Sequence, residues 1–221
     1  MKRRGAPQSR LGGVILAGGA SRRMSGQRKA LLELNHRPLI DHVIQRLRPQ
    51  VTSLVLSVAR EETVWVRFGL QQVADERSDA LPTGGETVDT PGPLAGLLSG
   101  MQALHDRHEW ILLSPCDAPF VPLDLGQQLL RKAQSEGTKA CLAVYESVWQ
   151  PTFSLWHREL LPKLQQAVRV EGLGGFKQFL RRVDFAEQHW GSAEIPPFFN
   201  INTAKDLLAA QALLDLHGGK A

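Results

Sequence analysis

The run Trp110-Ile111-Leu112-Leu113 constrains the fold more than any other stretch. Four large apolar side chains follow one another without polar alternation, so both faces of the segment must be covered. Strands buried on both faces belong to parallel sheets, and parallel neighbours need long crossover connections, usually helical. The run then stops at Ser114-Pro115-Cys116-Asp117. A chain carrying such a strand should alternate strands with helices.

The rest of the sequence does so. Gly13 to Ala17 reads as the first strand, with Val14-Ile15-Leu16 as its β-branched and apolar centre and Gly18-Gly19 breaking it. Pro38 opens a helix whose Leu39, Ile40, Val43, Ile44 and Leu47 share one face, and Pro49 ends it. Leu54 to Val58 reads as a second strand, Glu61 to Phe68 as a short helix and Gln72 to Ala74 as a short strand. Asp75 to Gly92 is rich in Asp, Gly, Pro and Thr and carries no periodicity, as functional or mobile loops do. Pro93 starts a helix with Leu94, Leu97, Leu98, Met101 and Leu104 on one side. Leu123 to Ser135 is helical by pattern, with Gly137 suited to its C-terminal end.

Ala140 to Val144 and Thr152 to Trp156 read as strands, and His157 to Val168 as a helix. A glycine-rich loop, Glu171 to Gly175, precedes a short helix over Phe176 to Arg181. Val183 to Phe185 and Phe198-Phe199 are short strand candidates, and Thr203 caps a last helix through Leu216. The fold class expected is α/β, one domain over residues 11–221 with a mainly parallel central sheet flanked by helices. Met1 to Arg10 reads as a flexible basic tail outside it.

Composition narrows the function classes. Apolar residues at 43% and charged residues at 22% are those of an ordinary globular chain, which excludes collagen-like, disordered and coiled-coil classes. With 2 cysteines, Cys116 and Cys141, a disulfide-stapled scaffold is excluded too. The net charge of +4 comes from Lys2, Arg3, Arg4 and Arg10, so the body is near neutral and lacks the basic, aromatic-laced stripe of a nucleic-acid binder. No apolar run approaches the ~20 residues of a membrane span, and the glycines of LGGVILAGGA spoil a signal-peptide reading. A cytoplasmic protein with reduced thiols is expected, binding neither nucleic acid nor membrane.

Ligands of such sheets bind beyond the carboxyl ends of the strands, which singles out two loops. In the first, Leu16-Ala17-Gly18-Gly19 lets the backbone approach a ligand closely, and Arg22, Arg23, Arg28 and Lys29 cluster behind it. Backbone donors plus clustered cations suit a triphosphate; a plain glycine turn with solvated basic residues fits the same spacing. Neither G-x-G-x-x-G nor G-x-x-x-x-G-K-[ST] is present. In the second loop, Asp117 sits just past a buried strand between Pro115 and Pro119. It suits a Mg²⁺ held against nucleotide phosphates, and equally an Asx turn or helix cap. Cys116 reads as a buried structural thiol, with no His marked as its catalytic partner. His105 and His108 read as solvated residues at a helix end.

Taken together, LAGGASRRM with Lys29, KALLELNHRPLIDHV, GPLAGLLSGMQAL, SPCDAPFVP, QPTFSLW and FFNINTAKDL resemble the bacterial molybdenum cofactor guanylyltransferases, in that family's order and over most of residues 13–210. The resemblance implies a Rossmann-like nucleotidyltransferase fold. It also implies GMP transfer from GTP to molybdenum-bound molybdopterin, forming the guanine dinucleotide cofactor with release of pyrophosphate, and Mg²⁺ as cofactor. Leu16, Ala17, Gly18, Gly19, Lys29, Ser57, Asp75 and Asp117 match nucleotide-binding positions, Asp117 also the metal position, and Asn200 and Asn202 a segment on the molybdopterin side. Asp117, Lys29 and Arg23 are the catalytic candidates.

Molybdenum-insertion and cofactor-delivery proteins are the partners implied. The chain departs from the family pattern at Arg28, where an acid often stands, at Ser25, at Ser57-Val58-Ala59-Arg60, where an Asn is frequent, at Gln150 and in the longer 76–89 stretch. The competing readings are a related cytidylyl- or sugar nucleotidyltransferase and a nucleotide-binding partner without turnover.

Overall fold

The computed structural model describes residues 11–18, 28–75 and 92–217. The basic tail, the 76–89 stretch and the loop positions Gly19, Arg22, Arg23 and Ser25 lie outside them. Strand β1 (Leu11–Leu16) comes first. A single 3₁₀ turn (Lys29–Leu31) and a two-stranded ribbon of β2 (Glu33–Leu34) and β3 (Arg37–Pro38) lead into helix α1 (Leu39–Leu47). Asn35 and His36 turn the ribbon with positive φ of 49° and 60°, a conformation that Asn tolerates better than most residues.

Next come β4 (Ser53–Val58), a 3₁₀ segment (Thr63–Phe68), β5 (Gln71–Ala74), α2 (Pro93–Leu104) and β6 (Trp110–Pro115). The second half holds α3 (Leu125–Glu136), β7 (Ala140–Tyr145), β8 (Val148–His157), α4 (Leu161–Gln165) continued by a π turn (Gln166–Val170), α5 (Phe176–Leu180), β9 (Phe185–Trp190) and α6 (Ala204–Leu216).

Seven strands form one sheet in the order β5-β4-β1-β6-β8-β7-β9. Only β8 runs against the others, pairing antiparallel with both β6 and β7. The carboxyl ends of the other six therefore share one edge of the sheet. The continuous apolar run lies where its composition requires. Ile111 and Leu113 pack into the core under α2 and α4, and Leu112 into the opposite core with α1 and α3. Val14 and Ile15 of β1 divide in the same way. Full burial of each such side chain contributes about 1.5–3 kcal/mol. A third, smaller cluster gathers Leu34, Leu39, Phe120, Ile201, Ala210 and Leu214, and seats α6 beside the end of β6.

Several expectations are corrected. Phe198 and Phe199 form no strand; they lie in a turn, with the Phe199 N–H donating to the Pro196 carbonyl at 3.4 Å. Both rings pack instead, Phe198 against Phe153, Trp190 and Tyr145 and Phe199 against Phe120. The strand expected at Val183 starts at Phe185 and runs on to Trp190. The helix expected over residues 157–168 divides into 3₁₀, α and π turns. His108 is not solvated: it is buried, its Nδ1 3.0 Å from the Leu104 carbonyl and its Nε2 3.1 Å from Thr52 Oγ1. No helix among the described residues is long and apolar enough to cross a membrane.

Candidate active site

The edge shared by the carboxyl ends collects the predicted residues. At the exit of β1 the chain is held on both sides. The Ala17 N–H donates to the Ser57 carbonyl at 2.8 Å, and the Leu16 carbonyl accepts from the Cys116 N–H at 3.1 Å. Gly18 follows, buried, and packs closely against the Asp75 carboxylate. A Cβ there would stand 1.8 Å from Asp75 Oδ2. Asp75, just past β5, thus reaches back across the end of β4 to lie against β1.

Its other oxygen, Oδ1, accepts a hydrogen bond from Ser57 Oγ at 2.5 Å. Gly96 on α2 leaves room for that pair, because a Cβ there would stand 2.4 Å from Ser57 Oγ. Ser57 is fully buried. Its hydroxyl reaches the edge only through Asp75. Burial pushes the Asp75 carboxyl above the usual carboxylate range, against the opposing pull of the Ser57 hydrogen bond.

On the other flank of β1, Asp117 follows β6. Its main-chain carbonyl accepts from the Ile201 N–H at 2.9 Å, which ties the segment before α6 to the end of β6. Ile201 is fully buried in the small third cluster. That anchors the Asn-x-Asn segment at its middle residue. Asn202 accepts a hydrogen bond from Lys29 Nζ, and Lys29 Nζ also stands 3.7 Å from Asp117 Oδ2. Both side chains of the Lys29–Asp117 pair are about five-sixths buried (16% and 17% exposed), so little solvent screens them. Burial raises the Asp117 carboxyl, and the Lys29 charge draws it back down.

Asn202 is fixed in turn by α6. The Asn202 and Thr203 N–H groups donate to Asp206 Oδ2 at 2.9 and 2.8 Å, and the Asp206 N–H donates to Thr203 Oγ1 at 3.2 Å. This is a capping box. The Thr203 cap was expected, and its second use, as the mount for Asn202, was not. Asn200 lies one residue before Ile201, and its Oδ1 is buried with no hydrogen-bond partner among the described residues. A buried acceptor without a donor is costly, about 1–3 kcal/mol, and suits a ligand donor.

Leu16, Ala17, Gly18, Lys29, Ser57, Asp75, Asp117, Asn200 and Asn202 thus line or support one edge. Gly19 and Arg23 belong to the undescribed stretch. Cys116 is buried, and burial pushes its thiol upward, away from the thiolate a nucleophile needs. The Cys141 thiol is pushed up to about 12 by burial. Sequence reasoning missed the Lys29–Asn202 contact. The two are 173 positions apart, and no periodicity reports such a pairing.

The chain is similar to known proteins over most of its length. The family described as MobA-like NTP transferase domain matches residues 13–189. A molybdenum cofactor guanylyltransferase of Nitrobacter hamburgensis is 31% identical over 210 residues, covering 94% of this chain and 96% of the relative. Among solved structures, molybdopterin-guanine dinucleotide biosynthesis protein A of Archaeoglobus fulgidus superposes with a TM-score of 0.73 at 20% identity, covering 93% of this chain and 99% of that one. Rv0371C of Mycobacterium tuberculosis, solved as a complex with manganese, gives a TM-score of 0.63 at 17% identity, covering 92% and 98%. At these identities the two structures establish the shared fold.

Proposed function

The chain belongs to the MobA-like NTP transferase family, and from that premise we propose that it is a molybdenum cofactor guanylyltransferase. It transfers GMP from GTP to molybdenum-bound molybdopterin, forming the guanine dinucleotide cofactor and releasing pyrophosphate. The observation that carries this reading is the Lys29 ammonium held beside Asp117, next to the close-approach backbone at Gly18.

The residues divide the work. Leu16, Ala17 and Gly18 present backbone to the nucleotide; Gly19 and Arg23, the other sequence candidates for this role, lie outside the described residues. Asp75, oriented by Ser57, accepts the N–H donors of guanine's pairing edge. Adenine offers a different pattern there and leaves the carboxylate unanswered. Asn200 and Asn202 face the molybdopterin side, which gives the orphaned Asn200 oxygen a partner.

The attacking group is the terminal phosphate of molybdopterin, already ionised at pH 7, so no general base is needed. Its oxygen forms a bond to the α-phosphorus of GTP, and the bond from that phosphorus to the bridging oxygen of the β-phosphate breaks. The bonding pair leaves with pyrophosphate. Both reactants are anions, so positioning and charge neutralisation supply the catalysis. Lys29 answers the growing charge on the leaving group.

A divalent ion fits this site. No cluster of three or more His, Cys, Asp or Glu able to hold a metal occurs among the described residues, but Mg²⁺ needs only one or two carboxylates when phosphates complete its shell. Asp117 is the residue that would hold it, and magnesium is the ion we assign. When bound, the ion supplies further positive charge to the triphosphate.

The test is incubation with GTP, Mg²⁺ and molybdopterin, scoring the dinucleotide and pyrophosphate, with CTP, ATP and sugar phosphates in parallel. Product with GTP alone is expected. Product with CTP instead would move the chain to the cytidylyl relatives. Nucleotide binding without turnover on any acceptor would make it a non-catalytic partner.

A further inference from the structure

Arg28 precedes Lys29, and its side chain is committed to a site of its own. Arg28 Nη2 lies 2.5 Å from Glu62 Oε2, 34 residues away and past the end of β4. Its guanidinium stands 5.3 Å from the centre of the Trp65 ring. Neither partner drifts. Trp65 is 3% exposed and belongs to the main core. The Glu62 N–H donates to Gln72 Oε1 at 2.8 Å, which ties its backbone to β5, and Arg60 Nε takes the remaining oxygen at 3.3 Å.

On its other side Arg28 begins a rigid turn. The Leu31 N–H donates to the Arg28 carbonyl at 2.9 Å and the Leu32 N–H to the Lys29 carbonyl at 3.0 Å, with Ala30 buried between them. Lys29 therefore hangs from a backbone fixed before it by a side-chain clamp and after it by a closed turn.

We propose that Arg28 is a positioning residue: clamped between Glu62 and the face of Trp65, it fixes the backbone from which Lys29 reaches Asp117 and Asn202, and so sets the affinity for GTP. The proposal rests on the reading that Lys29 meets the phosphates of GTP. The clamp is partly exposed, 36% for Arg28 and 29% for Glu62, and ion pairs of that kind contribute little to folding. Its loss should loosen one lysine and leave the fold intact.

The experiment measures GTP affinity, the KM of each substrate, kcat and melting temperature on the full chain. Wild type is compared with Arg28→Ala, Arg28→Lys, Glu62→Gln and Lys29→Ala. Arg28→Ala should weaken GTP binding about tenfold, the size set by one ion pair and one cation–π contact. Glu62→Gln should weaken it about threefold. Arg28→Lys keeps a cation for both partners and should recover most of the loss. The KM for molybdopterin and the melting temperature should hardly move.

Unchanged GTP affinity in Arg28→Ala, beside a loss in Lys29→Ala, overturns the clamp and spares the functional reading. Equal damage to both substrates together with a lower melting temperature overturns it as well, because it marks a merely structural residue. Unchanged affinity in Lys29→Ala brings down the reading of Lys29 and the clamp together.

Discussion

Asp75 and Asp117 are the two acids that flank the end of β1, and they are buried for different ends. Burial raises both carboxyls. Asp75 is answered by a neutral hydroxyl and pressed against a glycine, whereas Asp117 is answered by an ammonium. A hydroxyl fixes direction without cancelling charge, which supports the proposed role of Asp75 as an aimed acceptor that chooses between bases. An ammonium supplies field, which supports the proposed role of Asp117 on the phosphate side. The same residue type, desolvated on both flanks, meets a neutral partner on one and a charged partner on the other.

Substitutions can break that contrast. The largest effect is expected for Asp117→Ala, with turnover down about a hundredfold or more, as for other electrostatic catalytic groups. Near-normal rates with Mg²⁺ in a steady-state assay would remove Asp117 from the chemistry. Gly18→Ala comes next. Its Cβ would collide with Asp75 Oδ2, so GTP affinity should fall about tenfold or more, the scale of misplacing a site group by an ångström. Calorimetric titration would show it.

Asp75→Asn should leave kcat nearly intact while narrowing the preference for GTP over ATP about tenfold, the scale of one charged hydrogen bond. If both nucleotides lose equally, Asp75 does not read the base. The same variant sharpens the contrast through pH. A raised carboxyl means that the fold disfavours ionised Asp75 relative to the unfolded chain. That penalty is full above the raised value and fades as pH falls towards the ordinary 3.8. Asp75→Asn should therefore melt higher than wild type at pH 8, with the gap closing on acidification. A gap that widens in acid would reverse the assignment. The smallest effect is expected for Cys116→Ser, with turnover within about twofold. A trapped covalent GMP adduct on Cys116 would contradict the mechanism.

Much of this was legible in the sequence because it rests on local rules. The apolar β6 run, Pro38 and Pro93 at helix starts and the Thr203 cap each fell where nearest-neighbour chemistry put them. What stayed hidden depends on partners far along the chain. Thr152 to Trp156 is part of a ten-residue strand running back to Val148. Pro151 masks its first half, yet costs the ladder nothing. The register slips between Leu142 and Ala143, where the pairing jumps from Ser154 to Gln150 and leaves the proline out. His108 looked solvated because its burial is set by Thr52, 56 residues earlier. In the site, the glycine turn and the strand-end carboxylate marked Gly18 and Asp117, and the family resemblance added Asp75. The choice of Ser57 and Asn202 as their supports is written only in the three-dimensional contacts.

The ammonium at this edge draws on the start, middle and end of the chain: Lys29 carries it, Asp117 faces it and Asn202 accepts its hydrogen bond. During synthesis the sheet strands that hold the first two are made well before residue 202. A nascent chain on the ribosome can thus assemble most of the core while the Lys29 ammonium still lacks its Asn202 partner. That partner arrives only when the last helix docks, so a prematurely terminated product would be folded in large part with that ammonium incompletely held.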